Sequence, residues 1–136
     1  MAGRVQFELV TPERVLAAEE ADLVVVPGGD GNFGVLPGHA PLLSTLRPGV
    51  VDIYQGDKIT SRIFVAGGFA EVAEDRFTVL ADEAQAVEDI DDAAAAERLS
   101  RARDALTRAQ GGDEDVAAAE AELAVAEALA VATGAH

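Results

Sequence analysis

Short apolar segments separated by turn residues occupy the chain from residue 5 to about residue 81. Apolar and polar side chains alternate over Val5–Leu9, which is the period of a half-buried β-strand. Leu23–Val26 is a continuous apolar run that ends at Pro27-Gly28-Gly29. Two predicted hairpins follow: Val50–Tyr54 and Ile59–Val65 flank Gly56-Asp57, and Phe69–Val72 and Phe77–Leu80 flank Glu74-Asp75-Arg76. Strands joined by tight turns predict an antiparallel β-sandwich or barrel over residues 1–84.

Helical patterning replaces the strand pattern in the C-terminal part of the chain. An acidic connector leads into Ala93–Ala96, a strong helix former, which Asp91 or Asp92 can cap. Gly111-Gly112 ends this helix, and Asp113-Glu114-Asp115 begins a second one. Heptad-like spacing predicts one seam on each helix: Ala95, Leu99, Ala102, Leu106 and Ala109, then Val116, Ala119, Leu123, Ala126 and Ala130. We therefore expect an antiparallel two-helix hairpin from residue 85 to 136, whose alanine-rich seam buries little area and lets it detach.

Composition narrows the kinds of partner that the chain can bind. Its 136 residues carry a net charge of −15, which argues against nucleic acid and against direct adsorption to an anionic membrane. Aromatic residues make up only 4% of the chain, so Val, Leu, Ile and Ala must build the core. The chain has no cysteine, which excludes disulfides, thiolate metal sites and cysteine nucleophiles.

Neither end of the chain has the pattern of a membrane segment. The N-terminal residues lack the apolar core of a signal peptide. Glu120, Glu122 and Glu127 interrupt the alanine-rich C-terminal part, which leaves no run of the ~20 apolar residues that a membrane span needs. We expect a soluble cytosolic protein without direct membrane insertion, which reaches a membrane only through a partner.

Gly29-Asp30-Gly31-Asn32-Phe33-Gly34 matches the letters of a dinucleotide-binding fingerprint after an apolar strand. Such a site needs a helix to begin at these glycines, so that its amides meet the pyrophosphate. Pro37, Gly38 and Pro41 follow instead and forbid that helix. The glycines are therefore predicted to form turns between strands.

No group of residues predicts a metal site or catalysis. The two histidines, His39 and His136, have no ligand-type neighbours at metal spacing. Ser44 and Ser61 lie in strand-like segments without the sharp turn that exposes a catalytic serine. We predict no catalytic residue and no metal, and hence that the chain is not an enzyme.

Four local motifs carry a resemblance to a known family. Gly31–Leu43 reads G-N-F-G-V-L-P-G-H-A-P-L-L, and Leu46–Gly49, Gly67–Val72 and Thr78–Ala84 follow in order. In sequence and spacing these motifs resemble epsilon subunits of F-type, proton-translocating ATP synthases. The resemblance is strong to Ala84 and continues in the helical pattern afterwards.

The resemblance implies an N-terminal β-sandwich of about ten strands and a C-terminal helical hairpin. It further implies a non-catalytic subunit of the central stalk, whose sandwich binds the gamma subunit and the ring of c subunits and turns with them. In such a complex, proton flow through the membrane sector drives ATP synthesis in the catalytic head.

Particular residues match the interaction sites of that family. Gly31, Asn32 and Phe33 match the turn that touches the polar loops of the c ring, although many relatives have Glu where this chain has Asn32. The segment that matches the gamma-binding surface consists of His39, Ala40, Pro41, Leu42 and Leu43. The alternative for Leu42 and Leu43 is that a proline-pinned turn directs them into the core.

The helical part matches the family less completely. Some relatives bind ATP there through an I/L-D-x-x-R-A motif. The aligned residues are Ile90, Asp91, Ala94 and Ala95, with Ala94 in place of the arginine. Without that cation, and with four acids nearby, we expect no ATP binding and no other cofactor.

Charge also bears on contact with the catalytic head. The first helix has four arginines against Glu97 and Asp104, whereas the second has six acids and no base between residues 113 and 131. In relatives that inhibit ATP hydrolysis, basic helices extend into the catalytic head and meet an acidic segment of the beta subunit. We therefore expect at most transient contact with the alpha and beta subunits and weak inhibition of ATP hydrolysis.

Two other classes of protein remain open on the residues alone. One is a stand-alone β-sandwich binding module with a helical oligomerisation tail, and the other is a small hydrolase with dispersed acids. For a stalk subunit, the missing presequence favours the cytoplasmic face of a bacterial inner membrane over a mitochondrion, and a plastid-encoded version stays open.

Overall fold

The strand pattern and the helical pattern correspond to two separate units in a computed structural model of the chain. The structure describes residues 3–74, 76–112 and 115–134. The first unit ends at Ala86 and the second begins at Val87. The boundary predicted from sequence lay after Ala84, two residues earlier, because the short strand Ala84–Ala86 gives no pattern of its own yet pairs with the sheet.

Ten strands form the first unit in the described part of the chain. They are β1 (Val5–Val10), β2 (Val15–Ala21), β3 (Leu23–Gly28), β4 (Gly31–Val35), β5 (Leu42–Leu46), β6 (Gly49–Gln55), β7 (Lys58–Val65), β8 (Gly68–Ala73), β9 (Arg76–Ala81) and β10 (Ala84–Ala86). Their order along the sheet is β10-β7-β6-β3-β5-β8-β9-β1-β2, with β4 paired to β3. One half of the sandwich contains β10, β7, β6, β3 and β4, and the other contains β5, β8, β9, β1 and β2. The two halves are joined where Gly28 on β3 pairs with Leu46 on β5.

Both predicted hairpins are present, and the strand pairs of the described residues are antiparallel with one exception. β6 and β7 are joined through Gly56 and Asp57, as predicted. β8 and β9 are paired across the predicted turn at Glu74, whose φ is 55°, while Asp75 of that turn lies outside the described residues. The exception is β1, which pairs with β9 in parallel, so the sandwich is antiparallel except at this pair.

Alternation along β1, β8 and β9 places one set of side chains between the two halves. Along β1, Val5, Phe7 and Leu9 are buried while Gln6 and Glu8 are exposed. The buried set is aliphatic with few aromatic members, as the composition predicted: Val5, Phe7, Leu9, Ala21, Val24, Val26, Val35, Leu46, Val51, Ile53, Ile63, Val65, Ala70, Val72, Phe77, Val79 and Ala81. Burial of these side chains is the main stabilising term for the sandwich, because each large one contributes roughly 1.5–3 kcal/mol.

A 3₁₀ turn, Val87–Asp89, and two helices form the second unit. Helix α1 spans Asp92–Gln110 and α2 spans Val116–Thr133. Asp91 caps α1, and its carboxylate accepts hydrogen bonds from the amides of Ala93 (2.8 Å) and Ala94 (3.1 Å). Asp115 caps α2 in the same way; the other two predicted initiating residues, Asp113 and Glu114, lie outside the described residues.

The helices pack on alanine-rich faces, but the predicted seam on α2 is partly wrong. Ala95, Ala102 and Ala109 are buried on α1, with the two seam leucines half-buried. On α2 the buried residues are Ala126, Leu129 and Ala130, while Val116 is exposed. The heptad pattern assigned Val116 to the seam and missed Leu129, because a strict repeat does not allow for the end of the partner helix or for a wider apolar face. Among the described residues, no helix is both long enough and apolar enough to cross a membrane.

Candidate functional site

The glycine-rich segment between β3 and β4 forms a tight hairpin. Gly28 pairs with Gly31, which leaves Gly29 and Asp30 as exposed turn residues. Gly31 has a φ of 142°, which a residue with a Cβ atom rarely adopts. The element that follows this hairpin along the chain is strand β5, whereas a dinucleotide site would need a helix at the glycines. These glycines therefore serve a turn between strands, as the sequence predicted.

Two of the three residues matched to the c-ring turn lie at the surface. Gly31 and Asn32 are exposed, whereas Phe33 is half-buried and packs against the hydrophobic core. The Phe33 ring lies over Gly28, where an added Cβ atom would come within 2.9 Å of two ring carbons. Phe33 therefore supports the hairpin from the core side, and Gly31 and Asn32 form its accessible edge.

Arg47, the residue that follows β5, is attached to both arms of this hairpin. Its backbone amide donates to the carbonyl of Pro27 (2.9 Å). Its side chain donates to the carbonyl of Gly28 on β3 (2.6 Å) and to Oδ1 of Asn32 on β4 (2.5 Å). One side chain thus links the two strands of the hairpin to the end of a third strand.

A second turn precedes the segment matched to the gamma surface. The amide of His39 donates to the carbonyl of Leu36 (3.1 Å), and Gly38 has a φ of 81°. Pro37 and Gly38 thus occupy the positions that a type II turn prefers for these residue types. His39 is half-buried, and its Nδ1 lies 2.7 Å from the carbonyl oxygen of Ala40. The turn leaves Ala40 and Pro41 exposed.

The structure decides between the two sequence-based placements of Leu42 and Leu43. Leu43 is 69% exposed and pairs with Glu71 on the outer side of β8, so it is not a core residue. Leu42 shares the inward side of β5 with the buried Leu46 but lies at the rim, where it is 39% exposed. Both leucines are therefore available to a partner.

An apolar row continues from this segment across the outer face of the sheet. Thr45 on β5 pairs with Phe69 on β8, Phe69 pairs with Leu80 on β9, and Leu80 pairs with Val10 on β1. Phe69 and Leu80 are each 52% exposed. The neighbouring row on the same face runs through Leu43, Glu71, Thr78 and Glu8. The outer apolar surface is our name for four residues: Phe69, Leu80 and Val10 from the first row, and Leu43 from the neighbouring row.

Sequence reasoning assigned no interaction role to Phe69 or Leu80, although both lie in motifs that it singled out. The signal was present in the alternation of β8, where Phe69 and Glu71 share one side and the small or branched Ala70 and Val72 share the other. What the chain does not reveal by itself is the register, which places Phe69 beside Leu80. A pair of exposed large apolar side chains side by side is a stronger sign of an interface than either alone.

The residues matched to the ATP motif have structural roles at the start of α1. Ile90 is half-buried, and its amide donates to the carbonyl of Val87 (3.2 Å). Asp91 uses its carboxylate as the helix cap described above. Ala94 is exposed, and Ala95 is buried on the α1 seam. The structure thus places Ala94, which stands where the motif has arginine, at the surface.

Charged residues of the helical unit form pairs within the hairpin. Arg101 pairs with Glu97 one turn away on α1 (2.8 Å), and Arg98 pairs with Glu122 on α2 (2.9 Å). Within residues 3–74, 76–112 and 115–134, no three potential metal ligands come together. Two candidate interaction surfaces stand out among the described residues: the hairpin at Gly31 and Asn32, and the segment 39–43 with the outer apolar surface.

Comparison with known proteins gives these surfaces a context. The family model described as the beta-sandwich domain of the ATP synthase delta/epsilon chain matches residues 4–87. The ATP synthase epsilon chain of Rhodospirillum rubrum is 56% identical over 129 residues, which cover 95% of this chain and 96% of that one. The epsilon chain of Paramagnetospirillum magneticum is 50% identical over 132 residues, which cover 97% of this chain and 98% of that one.

A solved structure shares both units of the fold. A chain from the mitochondrial ATP synthase of Euglena gracilis, solved as an assembly of OSCP, F1 and c-ring, superposes with a TM-score of 0.80 at 25% sequence identity. The match covers 95% of this chain and 81% of that one.

Proposed function

The chain belongs to the ATP synthase delta/epsilon family and is a stalk subunit of ATP synthase, and from this premise we propose which of its surfaces meet the other rotor subunits. Gamma and the c ring are its partners in that role. The observation that carries the assignment is the 56% identity to an epsilon chain over 95% of this chain, because it spans the sandwich and the helical hairpin together. The chain contributes to ATP synthesis by coupling the rotation of the c ring to gamma.

The hairpin at Gly31 and Asn32 is the proposed contact with the c ring. It is a short turn held to the sandwich by Arg47 and by the Phe33 ring, so it presents its exposed edge without a mobile loop. A rigid element of this kind loses little conformational entropy on binding. Scaffolded turns are also where proteins generally carry their interaction residues.

The segment His39–Leu43 together with the outer apolar surface is the proposed contact with gamma. Phe69 and Leu80 supply paired apolar side chains that an isolated soluble chain would otherwise keep exposed. The row that contains Glu71 and Glu8 borders them. The gamma surface that fits is therefore apolar at its centre, with basic side chains along the side that faces this acidic row.

We propose further that the chain has no active site of its own and binds no ATP. Ser44, one of the serines considered as a nucleophile, donates its hydroxyl to the carbonyl of Thr45 (2.9 Å). Asp91 of the ATP-like motif is engaged as a helix cap, and Ala94 offers no cation to a triphosphate. Turnover and nucleotide-binding assays on the purified chain test both statements.

The proposed location is peripheral, at the cytoplasmic face of a bacterial inner membrane. Support comes from the bacterial relatives, whose epsilon chains match this one over nearly their whole length. In this arrangement the membrane attachment belongs to the c ring, and this chain contacts the ring rather than the lipid. Fractionation of a bacterial cell should find the chain with membranes and release it with the catalytic head.

Reconstitution of the complex tests the function as a whole. A complex that lacks this subunit should hydrolyse ATP but pump few protons, because gamma and the c ring are then poorly connected. Adding the purified chain should restore ATP-driven proton uptake into vesicles. A complex that pumps equally well with and without the chain would contradict the proposal.

A further inference from the structure

Asn32 is held by a residue that can only donate hydrogen bonds. Nη2 of Arg47 lies 2.5 Å from one terminal atom of the Asn32 side-chain amide. A guanidinium group has five N–H donors and no acceptor, so the amide atom that faces it must be the oxygen. The amide nitrogen of Asn32 is therefore turned away from Arg47. Since Asn32 is exposed, this nitrogen is available at the surface of the hairpin.

Arg47 itself is fixed by contacts that do not involve Asn32. Its Nη1 donates to the carbonyl of Gly28 (2.6 Å), and its backbone amide donates to the carbonyl of Pro27 (2.9 Å). Both acceptors belong to the last residues of β3. The guanidinium is thus anchored to one arm of the hairpin while it orients the amide on the other arm.

The turn beside Asn32 is also fastened to β5. The amide of Gly29 donates to the carbonyl of Thr45 (2.9 Å). The Thr45 hydroxyl lies so close to Gly29 that an added Cβ atom would be 2.7 Å from it. The end of β5 therefore supports the whole turn, and Arg47 extends this support to the side chain of Asn32.

We propose that Arg47 is a positioning residue for the c-ring contact, and that it makes Asn32 present a hydrogen-bond donor to an oxygen acceptor on the polar loop of a c subunit. This inference rests on the proposed contact between the hairpin and the c ring. The acceptor is a backbone carbonyl or a side-chain oxygen. A carboxylate at position 32 would also accept from Arg47, but it would offer only acceptors to the ring and would need a donor there.

The Asn32 side chain accepts a hydrogen bond from Arg47 and, in the proposal, donates one to the c ring. Substitution by Asp separates these two roles. Asn32→Asp keeps the size and strengthens the contact with Arg47, yet it replaces the outward N–H donors with a carboxylate oxygen. We expect the complex of gamma with this chain to bind detergent-solubilised c ring about tenfold more weakly, the effect of losing one to two hydrogen bonds. Unchanged or tighter binding of Asn32→Asp would overturn the donor assignment.

Substitution of Arg47 tests the positioning role. Arg47→Ala should weaken c-ring binding several-fold and accelerate amide exchange at Gly29 and Gly31, with little change in the thermal midpoint of the sandwich. Arg47→Lys should recover part of the affinity, because it keeps the charge and donates from one nitrogen instead of two. Arg62→Ala is the matched control, since Arg62 pairs on the surface with Asp52 and does not touch the hairpin. Equal effects of Arg47→Ala and Arg62→Ala would overturn the positioning role.

A bulky substitution at Asn32 tests the c-ring contact itself, separately from the role of Arg47. Asn32→Trp should abolish c-ring binding through steric exclusion if the hairpin meets the ring. If Asn32→Trp disrupts binding but Arg47→Ala and Asn32→Asp do not, the contact stands and the role of Arg47 is wrong. If Asn32→Trp also binds normally, the hairpin is not the contact, and both statements fail.

Discussion

Arg98 on α1 and Glu122 on α2 form a two-point ion pair across the helical hairpin. Nε of Arg98 lies 2.9 Å from Oε2 of Glu122, and Nη2 lies 3.0 Å from Oε1. The packed faces of the two helices consist mostly of alanine, which buries little area per residue. A bidentate pair of this kind fixes the register of two helices that otherwise have little to hold them in place.

The pair should make the hairpin weaker at low pH. The hydrogen bonds from Arg98 hold the pKa of Glu122 below its usual range; partial burial opposes this, and the charge of Arg98 adds to the lowering. A carboxylate whose pKa is lowered by folding contributes stability above its unfolded-state pKa and loses that contribution as the pH falls through the folded-state pKa. The contribution stays below about 1 kcal/mol, since the Glu122 side chain is 45% exposed to screening solvent.

Urea unfolding of the full chain, followed by circular dichroism at 222 nm, measures this contribution. Glu122→Gln should be less stable than the parent near neutral pH, and the difference should shrink as the pH falls below about 4.3, the ordinary pKa of a glutamate. Glu97→Gln is the control, because Glu97 pairs with Arg101 within α1 and does not link the helices. A difference that is constant with pH would show that the ion pair does not stabilise the hairpin.

Ala40→Glu should weaken binding to gamma and leave the sandwich folded. Ala40 is exposed between the Leu36–His39 turn and β5, so a larger side chain causes no clash within the chain. In the proposed interface a buried, unpaired carboxylate should lower the affinity by about tenfold or more. Calorimetric titration with gamma, together with a thermal melt of the variant, makes the test. A variant with normal stability and undiminished gamma binding would remove Ala40 from the interface.

Phe69→Asp should have a larger effect on the same interaction. Phe69 is the largest side chain of the outer apolar surface and lies beside Leu80, so it is the expected anchor of the contact. The affinity for gamma should fall by about a hundredfold, which corresponds to the loss of one aromatic anchor. Ile59→Asp is the control, because Ile59 on β7 is also exposed, at 43%, but lies outside this surface. Similar losses in the two variants would show that exposed apolar residues in general, and not this surface, support binding.

The sequence predicted the elements better than the surfaces that they build. Alternation in β1 and the glycine turns sufficed for the hairpins, since local sequence determines a tight turn and the side of a strand that is buried. β2 was not predicted, because Val15–Ala21 is rich in Ala and Glu and has no clear period. Its place at the edge of the sheet comes from pairing with β1, which is a tertiary contact.

The candidate sites show the same division. The motif resemblance pointed to the turn at Gly31 and the segment 39–43, and it grouped Phe33 with Gly31 and Asn32; that Phe33 packs against the core is visible only in the structure. The contact between Arg47 and Asn32 could not be derived, because it joins a residue on β4 to the residue that follows β5, and these two strands are brought together by their separate pairings with β3. Contacts of this kind depend on the path of the chain between distant strands.

The helical hairpin should act as a weak brake on ATP hydrolysis at most. The four described acids of the α2 segment are Asp115, Glu120, Glu122 and Glu127, and no base accompanies them. In the closed hairpin Arg98 compensates Glu122, so separating the helices adds an uncompensated charge to α2. If the helix were inserted beside an acidic segment of the beta subunit, as the resemblance implies for inhibiting relatives, like charges would come together at a cost of several kcal/mol.

Truncation in the assembled complex measures the brake. Deleting the residues after Asp92 removes both helices and keeps the sandwich, which has its own core. The rate of ATP hydrolysis should change by less than about twofold, equivalent to a barrier change below about 0.5 kcal/mol. A several-fold rise in the rate would show that the helices inhibit despite their charge.

The full chain should bind ATP no more tightly than the millimolar range. The motif position that would hold the phosphates is Ala94, and the neighbouring carboxylate of Asp91 is occupied as a cap. Isothermal titration with ATP in the presence and absence of Mg²⁺ provides the measurement. Micromolar affinity would refute this expectation, and Ala94→Arg is the informative comparison, because it supplies the missing cation.

The most direct test of the central claim is whether the purified chain joins gamma and the c ring into one complex. Size-exclusion chromatography of the three components should yield a single species with one gamma and one copy of this chain per c ring. The Phe69→Asp variant should no longer co-elute with gamma. The Asn32→Trp variant should co-elute with gamma but not with the c ring. If the unmodified chain elutes apart from both partners under conditions in which gamma is folded, the rotor assignment of these surfaces is wrong.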